Sequence, residues 1–462
     1  MLRTTTARLA RRSLATHAGA AGAAGNAGRL EITELSNGLT VASEHNPAAP
    51  TASVGVVYGA GSTAENPYNN GVSNLWATYF GHGSSAVQGA AAKQGLKLSA
   101  NVQRETQAFT VQALPGDTAK AIGFLQQHLL AKESVSDADF AAVQKTALRE
   151  LADFEESAQA ERVLEHLHAT AFQNTPLALP TRGTLETVES LIPQDMQTFA
   201  AQQFNAKNAT VVATGNVSHE ELVKAVEAQV SLNAGSAAKA GSAAPAKSSF
   251  LGSEVRLRDD TLPSAWISLA VEGESQTSKD YLTAGVAASI FGSYVAAEPN
   301  SRLQGVKLLD DIQEYHLCDS FTHYSKSYRD TGLWGFSTQI SNVGGIDDMI
   351  HFTLKQWNRL TISITDTELE RGKALLKLKI GTANIQRAAD AALLGAEVVQ
   401  NGGRYLNTAE TFKKIDALTV GDIKKWAGNR LWDQDIAIAG AGQIEDLLDY
   451  MRMRNDMSMM RW

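Results

Sequence analysis

Apolar residues follow two rhythms along this chain. Nearly continuous apolar runs at 51–58, 107–114 and 209–214 read as strands that are buried or largely so. Between them, residues 119–130, 137–155 and 161–172 carry apolar side chains at helical spacing. Long helices among short, partly alternating strands predict an α+β fold, with helices packed on one face of a sheet. The rhythm stops at 233–249, NAGSAAKAGSAAPAKSS, where no large apolar side chain occurs. That composition cannot build a core and predicts a flexible linker. No apolar run approaches the 18 or so residues a membrane-spanning helix needs, so membrane association would have to come through a surface or a partner.

The pattern repeats on either side of the linker. Residues 211–217 align with 438–444 at an offset of 227, and Asp195, Met196, Phe199 and Phe204 align with Asp422, Ile423, Trp426 and Leu431 at the same offset. SVGVVYG (53–59) aligns with ISLAVEG (267–273) at an offset of 214, and the helices that follow end in YFG (79–81) and IFG (290–292). Matches in one order argue for an internal duplication. The predicted organisation is a leader at 1–27, a first domain at 28–232, the linker at 233–249, a second domain at 250–449 and a methionine-rich tail at 450–462.

Composition refines this picture at the ends. Arg3, Arg8, Arg11 and Arg12 stand among Thr and Ser, and no acidic residue precedes Glu31. An arginine-rich, hydroxyl-rich, acid-poor start predicts a mitochondrial transit peptide. Losing residues 1–16 removes four positive charges and takes the formal net charge from −8 to −12. So acidic a chain is poorly suited to neutralising nucleic-acid phosphates. Cys318 is the sole cysteine, which excludes internal disulfides and multi-cysteine metal clusters and predicts an ordinary buried thiol. Five of the eight methionines fall in the last twelve residues, among Arg452, Arg454, Arg461 and Trp462. That mixture predicts docking on a partner subunit or at a membrane interface.

Residues 69–81, NNGVSNLWATYFG, are similar to the zinc-site helix of an inverted zincin with its chemistry removed. The pattern H-x-x-E-H sets two imidazoles one helical turn apart, with a glutamate as general base. Here those places hold Asn74, Ala77 and Thr78. A neutral amide, a methyl group and a hydroxyl do not replace ligands that catalytic zinc needs three of. No other H-x-x-E-H occurs, and His166 and His168, two residues apart, point in different directions on a helix. Catalytic, metal and cofactor residues are therefore expected to be none, with no ligand set for haem, flavin or iron–sulfur.

Further segments carry a family resemblance. Asn69-Asn70-Gly71, Arg104-Glu105-Thr106, residues 166–172 with Pro176-Leu177 and Gly183-Thr184, and YRDTGLWG at 328–335 resemble the pitrilysin/insulysin superfamily, in its mitochondrial processing peptidase branch. Residues 250–274, 351–368 and the terminal DYMRMRNDMSMMRW resemble the core proteins of respiratory complex III within that branch. The resemblance implies two pitrilysin-like domains and a relic of the distal glutamate ligand at Glu150, 72 residues after Thr78. It also implies a non-catalytic structural role, peripheral on the matrix side of the inner membrane, with a second core protein, cytochrome b and cytochrome c1 as partners. The alternative is a processing peptidase subunit that binds basic presequences beside a partner's zinc. The missing glycine-rich recognition loop counts against it. Arg104 and Glu105 read either as part of a peptide-binding strand or as an exposed charge pair.

Overall fold

A computed structural model describes residues 29–131, 135–232, 247–387, 391–401 and 408–459. The predicted leader and most of the predicted linker lie outside them. Among the described residues twelve strands form two six-stranded sheets. The first contains β1 (Arg29–Glu34), β2 (Thr40–His45), β3 (Ala52–Tyr58), β4 (Lys97–Val102), β5 (Gln107–Ala113) and β6 (Ala209–Gly215), in the order β1-β2-β6-β3-β5-β4. The second contains β7 (Ser253–Arg258), β8 (Ala265–Gly273), β9 (Ser293–Val295), β10 (Ser320–Ser327), β11 (Gly332–Ile340) and β12 (Ala437–Gly442), in the order β7-β12-β8-β11-β10-β9. The β2–β6 and β7–β12 pairs are parallel and the remaining pairs antiparallel. The predicted apolar runs became β3, β5 and β6 within one residue at each end. The predicted helices became Asp137–Ser157, Gln159–Ala171 and, for 119–130, a helix Thr118–Leu125 that widens into a π turn, Gln126–Leu130.

The duplication is visible in the backbone. Gly215 and Gly442 end β6 and β12 with φ of +93° and +89°, and a Cβ there would lie 2.3 Å from the Thr51 carbonyl and 2.2 Å from that of Ser264. Both places admit glycine alone. Their ladder partners are Ala52 and Ala265, 213 residues apart. The offset of 214 read for SVGVVYG is therefore one residue too long. Every residue of β3 is buried, so no alternation fixed the register, and a slip of one exchanges the two faces of a strand.

One face of each sheet is covered by helices of its own half, as the pattern predicts. Val54, Val56, Tyr58, Phe109 and Val211 form a core with Trp76, Phe80 and Phe199; Ile267, Leu269, Trp334, Phe336 and Ile438 form another with Trp357 and Trp426. The opposite faces are covered as well, each by a helix from the other half. Helix Ala391–Gln400 lies on Ala42, Val57, Ala108 and Val212 of the first sheet. Helix Gln159–Ala171 lies on Ala270, Leu333, Ala437, Ala439 and Ala441 of the second.

The C-terminus departs from expectation. Helix Tyr450–Met459 sends Met453 and Met457, one turn apart, into the second core, where both are fully buried. Arg454 pairs with Asp433 at 2.9 Å and Asp435 at 2.8 Å, and the Tyr450 hydroxyl donates to the Ile436 carbonyl. These residues complete their own domain rather than a partner's surface, while Met451 stays 60% exposed. The sequence offered no means of telling the chain's own groove from another protein's. Residues 460–462 lie outside the described segments.

Candidate functional site

The slot helix, Val72–Thr78, starts at Gly71, whose φ is +102°. Its first amides are held by the buried Glu65: Oε2 accepts from Asn70 Nδ2 at 2.7 Å and the Gly71 amide at 2.9 Å, and Oε1 accepts from the Ser73 amide at 2.6 Å. A carboxylate here satisfies donors that a helix start leaves unpaired and sits at the positive end of the helix dipole. Burial still pushes Glu65 up to about 7 against the pull of these donors. Asn70 also donates to the Pro180 carbonyl, and a Cβ on Gly183 (φ +78°) would come within 2.9 Å of the Asn70 carbonyl and the Gly71 Cα. The Asn70-Gly71 and Gly183-Thr184 landmarks are thus two sides of one backbone junction.

Trp76 points the other way and donates its Nε1 hydrogen to the Met196 carbonyl at 3.0 Å, anchoring the helix to the core. Asn74, Ala77 and Thr78 then line a cavity of about 420 Å³, together with Gly81, residues 98–102 of the edge strand β4, Thr181 and Arg182. Glu150 reaches the same cavity from helix Asp137–Ser157, whose Val143, Ala147 and Leu151 are buried. The structure therefore gathers all four predicted positions at one site.

His82 completes it and was not foreseen. Its Nε2 lies 2.6 Å from Glu150 Oε1, with both side chains about half exposed (54% and 43%). His82 stands four residues beyond Thr78, where the helix continues through a π turn at Tyr79–Gly83. Reading the segment only for H-x-x-E-H stops short of it. Arg182, at the cavity's rim, lies 4.1 Å over the Phe154 ring, which orients its cation.

This donor set does not make a peptidase. Catalytic zinc needs three protein ligands and an activated water. The cavity offers one imidazole and one carboxylate bonded to each other, a neutral amide at Asn74 and a buried hydroxyl at Thr78. Among the described residues no three His, Cys, Asp or Glu side chains converge as metal ligands. The arrangement can hydrogen-bond a guest beside the free edge of β4, but it lacks the three ligands that would hold a metal to activate water.

The other landmark residues go to the seam between the halves. Arg104 is buried, donating from Nη2 to Glu165 at 2.7 Å and from Nε to the Leu177 carbonyl at 3.3 Å. Glu105 accepts the backbone N–H of Arg329 at 2.9 Å. Arg104 and Glu105 are thus neither an exposed pair nor free to line a substrate strand. His168, fully buried, donates its Nδ1 hydrogen to the Leu164 carbonyl at 2.7 Å, so Nε2 accepts from the Tyr328 hydroxyl at 2.7 Å. Burial, reinforced by the Arg104 charge, holds His168 well below the usual imidazole range, and burial pushes the Tyr328 phenol up to about 12.

Comparison with known proteins agrees with this geometry. Residues 40–185 match the family described as Insulinase (Peptidase family M16), and residues 190–376 match the Peptidase M16 inactive domain. The chain is 58% identical, over the full length of both, to the Saccharomyces cerevisiae protein named Cytochrome b-c1 complex subunit 1, mitochondrial. It is 35% identical to the Neurospora crassa mitochondrial-processing peptidase subunit beta, over 97% of this chain and 94% of that one. A solved chain of "Complex III2 from Candida albicans, Inz-5 bound" superposes with a TM-score of 0.85 at 38% identity, over 93% of this chain and all of that one.

Proposed function

The chain belongs to the M16 peptidase family, and from that premise we propose that it is a non-catalytic structural core subunit of the mitochondrial cytochrome b–c1 complex, complex III. The observation that carries this reading is the slot. The helix, its Glu65 cap and its cavity persist, while Asn74, Ala77 and Thr78 stand where ligands and base belong. Full-length similarity to a b–c1 complex subunit supplies the context. No described helix is long and apolar enough to cross a membrane, which fits a peripheral subunit held through its partners. Its place is the matrix side of the inner membrane, and its partners are core protein 2 and the other complex III subunits, including cytochrome b and cytochrome c1. Electron transfer belongs to those partners, and this chain contributes a rigid two-domain shell.

A second reading has support in the cavity beside the β4 edge and in the processing-peptidase relatives: a subunit that holds presequences for a partner to cut. One preparation separates the two. Purified from mitochondria in mild detergent, the protein should co-migrate with haem b and haem c1 absorbance, carry no stoichiometric zinc and cleave no presequence. One zinc per chain with cleavage would overturn the structural reading.

A further inference from the structure

The seam holds more positive charge than it pairs. Lys326 stands on β10 opposite Leu333 of β11. The short β9 pairs only with Ser320–Thr322, so at Lys326 β10 is the edge of its sheet among the described residues. The Lys326 ammonium lies 5.9 Å from the centre of the Tyr324 ring, on the face that Tyr324 and Leu333 share with helix Gln159–Ala171. The neighbouring Arg104 is already occupied, by Glu165 at 2.7 Å and by the Leu177 carbonyl. Lys326, partly buried, and Lys379, exposed on helix Asp366–Arg387, have no described carboxylate within 4.0 Å. Burial, with the Arg104 and Lys379 charges set against that of Glu165, lowers the Lys326 ammonium from its ordinary value. A cation drawn out of water is ordinarily paired, because losing its hydration is costly. Carboxylates are not scarce, since the chain has 49 Asp and Glu against 41 Lys and Arg, yet none is placed here.

We propose that the seam binds a small, doubly charged oxyanion of the phosphate class between Lys326 and Lys379. Each ammonium brings three N–H donors and no acceptor, a set that suits the oxygens of such an anion. Arg104 adds its field without giving up Glu165. Lys379 leaves the site open to solvent, while Lys326, set back against Tyr324, calls for a compact soluble anion rather than a membrane surface. The plain alternative is a lysine whose stem covers apolar surface while its head reaches water. The two differ in what removing the charge does. This inference does not rest on the assignment to complex III.

The test titrates the full chain with inorganic phosphate, against chloride at equal ionic strength and pH 7, by calorimetry and by melting. Phosphate at ten times its dissociation constant favours the folded state about elevenfold, which should raise the melting temperature by about 1–2 °C over chloride. Lys326→Met keeps the stem and removes the charge. It should abolish the phosphate shift and leave the melting temperature in chloride unchanged or higher. Lys379→Gln should weaken phosphate binding several-fold, and Lys93→Gln, an exposed lysine of helix Ser85–Gln94, should leave it unchanged. A shift no larger than that of chloride would mean screening alone and would overturn the proposal. So would a phosphate shift that survives both Lys326→Met and Lys379→Gln, or a Lys326→Met chain that melts several degrees lower in chloride.

Discussion

The slot cavity and the seam between the halves are both built from the residues by which this chain resembles its family, yet they differ in every physical respect. At the slot, the ligand positions are small or neutral, and the His82–Glu150 hydrogen bond is about half in water. At the seam, Arg104, Glu165, His168 and Tyr328 are bonded to one another, with Arg104 and His168 buried and Tyr328 partly so. A half-exposed polar contact contributes little because solvent competes with it, whereas breaking a buried ion pair strands a charge. The difference teaches that this molecule's energetics lie in how its halves are joined rather than in the slot.

That contrast can be broken by substitution. Glu165→Ala leaves the Arg104 guanidinium without its counter-charge and should cost about 3–5 kcal/mol of stability in urea unfolding. Glu65→Gln tests the slot's frame as distinct from its ligand places. An amide retains one acceptor oxygen where the carboxylate uses two, so a buried amide N–H is left unpaired, at about 1–3 kcal/mol. A loss below a few tenths of a kcal/mol there would mean that the helix start is held by other contacts.

Acid should act on the second core. His323 stacks on Phe291 at 4.6 Å and accepts the Trp357 Nε1 hydrogen at 3.1 Å, and burial lowers its pKa to about 3. Because the folded value lies below the unfolded value of 6.5, the stabilisation is complete above about pH 6.5 and is lost as pH falls toward 3. The expected slope is about 1.4 kcal/mol per pH unit in that window. Buried His168, also lowered, adds a loss of the same sign, so His323→Leu should lessen the acid slope by His323's share rather than abolish it, as read from melting temperatures between pH 7 and pH 5. The smallest effect is expected at the slot itself: Glu150→Ala or His82→Ala should change stability by less than about 1 kcal/mol. A larger loss would make the cavity a structural element equal to the seam.

How much of this was legible in the chain follows from where the deciding contacts lie. The strands β3, β5 and β6 and the vacated triplet Asn74, Ala77 and Thr78 are local patterns, and they were readable as written. Glu150 was placed only by resemblance. His82 escaped because a π turn, not an H-x-x-E-H spacing, carries it to Glu150. The exchange of helices escaped because an amphipathic stripe shows that Val163, Leu167 and Ala171 are buried without showing whose sheet receives them. Arg104 and Met453 were misjudged for the same reason: charge and softness are written in the sequence, but the groove that takes them is formed by residues far away. The leader and most of the linker fall outside the described residues, and their reading rests on composition.

The central claim is that the slot has no chemical duty while the seam has a structural one. It is tested most directly by replacing the native copy in cells with an Asn74→Ala/His82→Ala/Glu150→Ala chain and measuring ubiquinol–cytochrome c reductase activity per haem c1, with presequence processing followed alongside. The account predicts wild-type activity, wild-type haem content and normal processing. An assembled complex whose activity falls several-fold, or mitochondria that accumulate uncleaved precursors, would contradict it.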